Sequence, residues 1–286
     1  MRKFLVLFLM LPMLAMAESV QDTTYWKFNG TASLNFNQVS LTNWAAGGKS
    51  SVAGVLLLNA NANYKKDKWV WDNALNAGFG LLSEEGADAT KSEDKLDISS
   101  KLGYQASKHW YYSALMGFNS QFANGYNYPD TSTPISRFMA PAYFNVALGM
   151  DYKPSDKFSM FISPANMKST FVLDDALSAA GNFGVEPGEN ILLELGAMAK
   201  AALNIKVMEN VKLTTDLTLF SNYLDEPQNI DITWNMLISM KVNKWLSANL
   251  ATNLIYDDDI KIEKDGKVAP RIQFKQLFGA GLSVNF

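Results

Sequence analysis

The sequence predicts an all-β protein: a single twelve-stranded antiparallel transmembrane β-barrel, with ten or fourteen strands as the alternatives. Three observations carry this. Segment after segment alternates apolar and polar residues, the period-two signature of a strand. The connections between segments alternate between tight turns and longer polar loops, the layout of outer-membrane barrels. Beyond the N-terminus, no stretch is apolar for the roughly 18 residues that a helical span requires.

The elements are taken in order. Residues 1–17, MRKFLVLFLMLPMLAMA, have a basic start (Arg2, Lys3), an apolar run from Phe4 to Leu14 and the small-x-small triplet Ala15-Met16-Ala17. This is the pattern of a secretory signal peptide cut after Ala17, and the run is shorter than the roughly 20 residues of a membrane anchor. Residues 18–24 then form a short periplasmic N-terminus, too short for the plug of an energy-coupled transporter. The barrel occupies 25–286. The chain carries a net charge of −3, and loss of the leader removes two cations, so nucleic acid is not an expected partner. There is no cysteine, which excludes disulfides, thiolate chemistry and sulfur-bound metals.

Strands are expected near 25–39, 51–64, 69–82, 94–106, 109–122, 139–153, 157–172, 190–206, 210–222, 229–242, 244–257 and 271–286. Each is long enough for the roughly 9–11 residues of a tilted membrane strand. Tight turns fall at Lys65–Lys68, Ser107–Lys108, Pro154–Asp156, Met208–Asn210 and Asn243. Long loops fall at 41–50, 83–92, 123–136, 174–189, 224–228 and 257–270. With this parity both termini are on the turn side, the periplasm.

Two segments resist the pattern. In FSMFISPANMKSTFVL, Phe158, Met160 and Ile162 share one parity but Phe171 and Leu173 take the other; a bulge at Pro164-Ala165-Asn166 accounts for the switch, because proline cannot donate a ladder hydrogen bond. The segment 190–206 is rich in helix formers, yet Leu193, Leu195, Ala197, Ala199, Ala201, Leu203 and Ile205 alternate, and the hairpin count needs a strand there.

The faces reveal which way the sheet is turned. Leu56, Leu58, Ala60 and Ala62 oppose Asn59, Asn61 and Asn63; Leu96, Ile98 and Leu102 oppose Asp97 and Lys101; Ile232, Trp234 and Met236 oppose Asp231, Thr233 and Asn235. In hydrocarbon a sheet must close to pair its backbone, and its polar face then lines a lumen. Beside the tight turns sit Tyr64, Trp69, Trp71, Tyr104, Trp110, Tyr112, Tyr152, Phe158 and Trp245, expected as a periplasmic aromatic girdle at the headgroup level. The last strand presents Phe278, Leu282, Val284 and Phe286 to lipid, with Phe286 closing the row. A terminal aromatic after alternating apolar residues resembles the signal by which the outer-membrane barrel assembly machinery selects its clients.

The runs KKDKWVWDNALNAGFGLL, KLGYQASKHWYYSALMGFNSQFANGYNYP and MAPAYFNVALGMDYKPSDKFSMFISPANMKSTFVLDD resemble a family of Bacteroidota outer-membrane barrels labelled domain of unknown function 3078. The stretches ISRFMAPAYFNVALGMDYKPSDKFS and ISPANMKSTFVLDD are its most specific part. The resemblance implies an outer-membrane location and a barrel fold. It implies no activity, cofactor or catalytic residue.

No enzymatic machinery is expected. The one histidine, His109, lies in a tight turn. Asp257-Asp258-Asp259, near Glu263 and Asp265, lacks EF-hand spacing; it reads as a solvated acidic loop, with divalent cations bridging lipopolysaccharide as the competing role. No catalytic residue, metal or cofactor is assigned. The lumen is the functional candidate: by parity it holds Asp97, Lys101, Glu194, Lys200 and Asp216 near mid-depth and Lys95, Lys212, Asp231 and Lys275 nearer the ends. Inward glycines such as Gly78, Gly103, Gly149, Gly196 and Gly281 are expected to leave room. Two functions follow: passive passage of small polar solutes, or a non-conducting barrel that stabilises the membrane or docks with membrane-protein partners. Lipid and lipopolysaccharide surround either.

Overall fold

The computed structural model describes residues 25–41, 49–264 and 266–286; the leader (1–17), the segment 18–24 and most of the first long loop lie outside the described residues. Twelve strands close into one antiparallel barrel. They are β1 (Trp26–Val39), β2 (Ser51–Lys66), β3 (Trp69–Glu84), β4 (Thr90–Gln105), β5 (Trp110–Ser120) and β6 (Ala142–Ser155), then β7 (Phe158–Phe171), β8 (Ile191–Met208), β9 (Val211–Asn222), β10 (Ile230–Lys241), β11 (Leu246–Tyr256) and β12 (Gln273–Asn285). Each pairs with its sequence neighbours, and β12 returns to β1 from Thr31–Asn285 to Phe36–Ala280. The helix-prone segment 190–206 is strand β8: in a closed sheet its backbone groups are claimed by β7 and β9, which overrides its propensity. Among the described residues no helix is long and apolar enough to cross a membrane.

The apolar side is outward. Leu56, Ile98, Trp234 and Leu282 are all substantially exposed, the last at 56%. The inward side buries Asn35, Asp151, Glu194 and Asn249. A soluble barrel has the opposite arrangement.

The predicted bulge is present in β7. Gly196 faces Asn166, whereas Met198 faces Ser163, so Pro164 and Ala165 oppose Ala197 alone. The β6 ladder shifts at the same place. Ser163 holds the irregularity together: its Oγ donates toward the carbonyls of Leu148 (2.8 Å) and Ala165 (2.9 Å), and the Tyr223 hydroxyl donates to the Pro164 carbonyl at 3.0 Å. Past the bulge, even-numbered residues of β7 face inward, so Lys168 enters the lumen.

Most of the inward glycines do not leave room, Gly117 being an exception. A Cβ on Gly149 would lie 2.1 Å from the Ile162 carbonyl, and one on Gly196 would lie 2.0 Å from that of Ser221. On Gly281 it would meet the Leu34 carbonyl, and on Gly103 the Val70 and Ser113 side chains. These positions let neighbouring strands and side chains close in. At the end of β12, Phe286 exchanges backbone hydrogen bonds with Gly30 (2.8 and 3.1 Å), and its ring lies where a Gly30 side chain would be.

Three long loops have structure of their own. Residues Gly125–Tyr126 and Pro134–Ser136 form a short ribbon, as do Lys261–Lys264 and Lys267–Pro270, inside segments expected as plain loops. The loop 172–190 holds a helix, α1 (Asp175–Ala179), capped by Asp174 accepting from the Leu177 N–H at 3.0 Å. Leu177 and Val185 pack with Ala140 and Val172 in a small apolar cluster. A Cβ built on Gly184 would lie 3.6 Å from that of Asp259, so this loop comes close to the one that follows β11.

The inversion of faces is open to direct test. Ile98→Arg, on the outward face of β4, is expected to cost about 2–4 kcal/mol in unfolding from lipid vesicles, and Ser99→Arg on the inward face markedly less. Denaturant titrations of the two variants check it; equal costs would place both side chains in the same environment.

Candidate functional site

The barrel encloses polar side chains from all twelve strands, and two lysine-centred knots organise them. At the loop end, Lys168 of β7 extends into the lumen. Its ammonium lies 3.2 Å from both carboxylate oxygens of Glu194 on β8, 2.9 Å from Asp231 on β10 and 3.2 Å from Asp257 at the end of β11. One cation thus ties strands on different sides of the lumen. Lysine's three donors suit a site with three acceptors. Burial, and next the Asp257 carboxylate beside it, push Asp259 above the usual carboxylate range. Asp257 itself is buried, not a solvated loop residue, and Asp258 accepts from Asn229 at 2.6 Å. Among the described residues no group of three carboxylates or histidines has metal-holding geometry.

At the turn end the second knot joins β3, β4 and β6. Lys101 lies 2.7 Å from Asp151, which is fully buried, and Lys153 bridges Asp151 and Asp72. Between the knots the lumen is apolar along one wall. Leu115, Ala147, Phe161, Met198 and Phe220 form a buried cluster. Its two rings face the cations: the Lys101 ammonium is 5.9 Å from the Phe161 centroid, and the Lys168 ammonium 5.2 Å from that of Phe220. The apolar stack on β5–β9 therefore lies between the two knots and touches the lysine of each.

The remaining lumen is different. Asn253 donates to Asn235 (2.8 Å) and Asn235 to Asp216 (3.0 Å), a row across β11, β10 and β9. Asn59 donates to Asn76 at 2.8 Å on β2 and β3. Lys275 of β12 reaches Glu93 of β4 at 2.9 Å, spanning the seam where the barrel closes. Lys200, Asp216, Asn235 and Asn253 keep intermediate exposure at mid-depth, in contrast to Phe161 at 2%.

Of the residues predicted to line the lumen, Lys101 and Glu194 are in the two knots, and Asp216 is in the asparagine row. Asp97 sits 3.7 Å from Lys95 on its own strand. The Lys200 side chain makes no ion pair or hydrogen bond among the described residues. Asp72, Asp151 and Lys153 were not among the predicted residues, although all three lie at inward positions of their strands and parity is the signal that finds them. Lys168 needed the phase change of the bulge before it counted as inward. The apolar stack was visible as Leu115, Phe161, Met198 and Phe220 interrupting the polar face.

The turn end collects the aromatic residues. Trp69 and Tyr104 meet at 5.0 Å, Trp110 and Tyr152 at 4.9 Å, and Trp26 lies 5.2 Å from Tyr64 and 5.5 Å from Trp71. Tyr112 and Trp245 are exposed at 61% and 73%, and Phe158 opens β7 at the same end. The His109 ring packs against Tyr152 at 6.2 Å. Phe278, Leu282, Val284 and Phe286 are all exposed on the outer surface. The Trp71 indole donates to Ser100 (2.7 Å), and the Trp234 indole to Thr215 (2.9 Å), so both outward indoles have polar partners.

Closure, twelve strands and an apolar exterior define a β-barrel of the transmembrane class. The family model described as "Protein of unknown function (DUF3078)" matches residues 36–126, which leaves 139–175 outside the match. No curated protein matches the chain. Among solved structures, the translocator domain of autotransporter NalP from Neisseria meningitidis is similar at 9% identity and a TM-score of 0.38, covering 92% of this chain and 88% of that one. An outer membrane channel from Pseudomonas putida F1 is similar at 10% identity and a TM-score of 0.39, covering 95% and 98%. The NanC porin is similar at 6% identity and a TM-score of 0.36, covering 89% and 98%. Likenesses this distant have no bearing on cargo or partners.

The loop-end knot predicts its own vulnerability. Lys168→Met leaves three carboxylates facing one another without their cation, and removing one partner of a buried ion pair costs about 3–5 kcal/mol. The urea midpoint of the variant in vesicles is expected to fall accordingly. Combining it with Glu194→Gln and Asp231→Asn is expected to recover much of the loss.

Proposed function

We propose that this protein is an outer-membrane barrel of the kind its sequence resembles in Bacteroidota, and that small polar solutes pass through its lumen without energy input. The observation that carries the reading is the half-exposed polar row at mid-depth, Lys200, Asp216, Asn235 and Asn253, inside a closed barrel and beside the buried stack of Leu115, Ala147, Phe161, Met198 and Phe220. A filled barrel has no reason to keep such residues hydrated. The path is eccentric: it follows the β8–β11 wall past the apolar stack that leans in from β5–β9.

The location rests on the exported leader read in the sequence and on the apolar exterior. In the proposed orientation the turn end is periplasmic and its aromatic residues sit at the headgroup level. Lipid and lipopolysaccharide are the surrounding partners, the barrel assembly machinery is the partner during biogenesis, and the barrel is not an enzyme.

A second reading is favoured by a specific observation: Lys101 and Glu194 are both paired inside the lumen. A barrel reinforced in this way suits a non-conducting structural or docking role. Purified protein in planar bilayers separates the two. Discrete conductance steps are expected, and Asn235→Trp is expected to reduce the unit conductance by about half or more, because a narrow pore is limited by its tightest section. A silent membrane with folded protein present would leave the structural role.

A further inference from the structure

The charges on the inner wall are unevenly matched. Toward the loop end the carboxylates Glu93, Glu194 and Asp257 are buried and Asp231 is half-buried, all of them held by Lys168 or Lys275. Toward the turn end the knot of Lys101, Lys153, Asp72 and Asp151 neutralises itself. What remains there is a set of lysines without counter-ions. Lys206 on β8 lies directly opposite Lys212 on β9, and both occupy inward positions. Lys212 in turn pairs with Ser239 on β10, two residues from Lys241 on the same face. On the far wall, Lys27 of β1 faces Asn63 of β2. Lys200 stands deeper on the β8 wall. Lys27, Lys206, Lys212 and Lys241 are exposed, and among the described residues none of the five lysine side chains makes an ion pair, a hydrogen bond or a ring contact. Among the described residues, the inward carboxylate of this stretch of wall is Asp216, already engaged by Asn235; Glu209 lies in the turn that joins β8 to β9.

Like charges directly opposite each other on paired strands are unfavourable. Here both side chains are exposed, so solvent and mobile ions can screen the pair. A single-sign lining within low-dielectric walls focuses the field into the aqueous path and concentrates counter-ions there. The buried loop-end carboxylates are packed away from that path, so they offset it little.

From this we infer that the turn-end vestibule selects anions: the solutes that pass, or that bind in passing, are small molecules bearing carboxylate, phosphate or sulfate groups. The inference rests on the channel reading and specifies its substrate class. Five lysines supply the binding, with Lys206 and Lys212 as the closest pair, and the neighbouring Asn204 and Thr214 are exposed inward donors beside them.

The test is a reversal-potential measurement in planar bilayers under a potassium chloride gradient. The wild-type barrel is expected to prefer chloride over potassium by roughly tenfold, the low end of what such a lined cleft gives. Lys206→Gln with Lys212→Gln is expected to bring the ratio toward unity, and Lys206→Glu with Lys212→Glu to favour potassium. Lys241→Gln, at the rim, gives a smaller change and serves as a second variant should the double change impair folding. Added inorganic phosphate is expected to reduce chloride current in the wild type and not in the double variant. A conducting barrel with no anion preference, or one whose reversal potential is unmoved in the folded double variant, overturns the inference while leaving the channel intact. A silent wild-type barrel overturns both.

Discussion

Backbone hydrogen bonding in a medium without water is the constraint on which the rest of this molecule depends. Each strand carries a donor and an acceptor at nearly every residue, and hydrocarbon offers neither. Closure from β1 through β12 leaves no open edge. Once the sheet is closed, the two faces have separate solvents, and the alternation of each strand is sorted accordingly. Leucines and aromatics are exposed because lipid is their solvent. Asparagines, aspartates and lysines are enclosed because the lumen is the one place left for them.

Enclosure sets a second problem, the cost of holding charge in a narrow space. The molecule handles it in two ways. Buried carboxylates are gathered around Lys168 and around the Lys101–Lys153 pair, where Coulomb attraction offsets desolvation. Such knots add little net stability but are costly to break; here they lock the orientation of β3, β4, β6, β7, β8, β10 and β11 relative to one another. The other lysines are left hydrated. The contrast is between sequestered charge, which is paired, and exposed charge, which is not.

Much of this was legible in the sequence, for physical reasons that differ by element. The twelve strands and the outward leucines are dictated by period two, which depends on one residue at a time. The bulge was legible because proline has no N–H, and its phase change was needed to explain Phe171. The helix-prone segment at β8 was decided by global pairing, not by local preference. The lumen was less legible. Parity places Lys101 and Glu194 inside but says nothing of which partner each finds, because partners such as Asp151 and Lys168 come from other strands at heights set by the barrel's stagger. The glycines misled for a related reason: absence of a side chain reads as space, whereas Gly149 and Gly196 mark close approach of the next strand. Asp257 looked like part of a wet loop because its burial depends on Lys168, far away in the chain.

The irregularity at Pro164 acts as a phase shifter for its strand. Below it even-numbered residues belong to lipid; above it they belong to water. The cation at the centre of the loop-end knot is therefore addressed to the interior by a single surplus residue some distance beneath it. Deleting that residue would rotate the upper half of β7 by half a turn, delivering Lys168 to the acyl chains and Phe171 to the lumen, with every covalent bond of the knot's components untouched. In this strand, length is information in the way that a reading frame is, and homologues that lack the surplus residue should carry their central cation one position earlier or later.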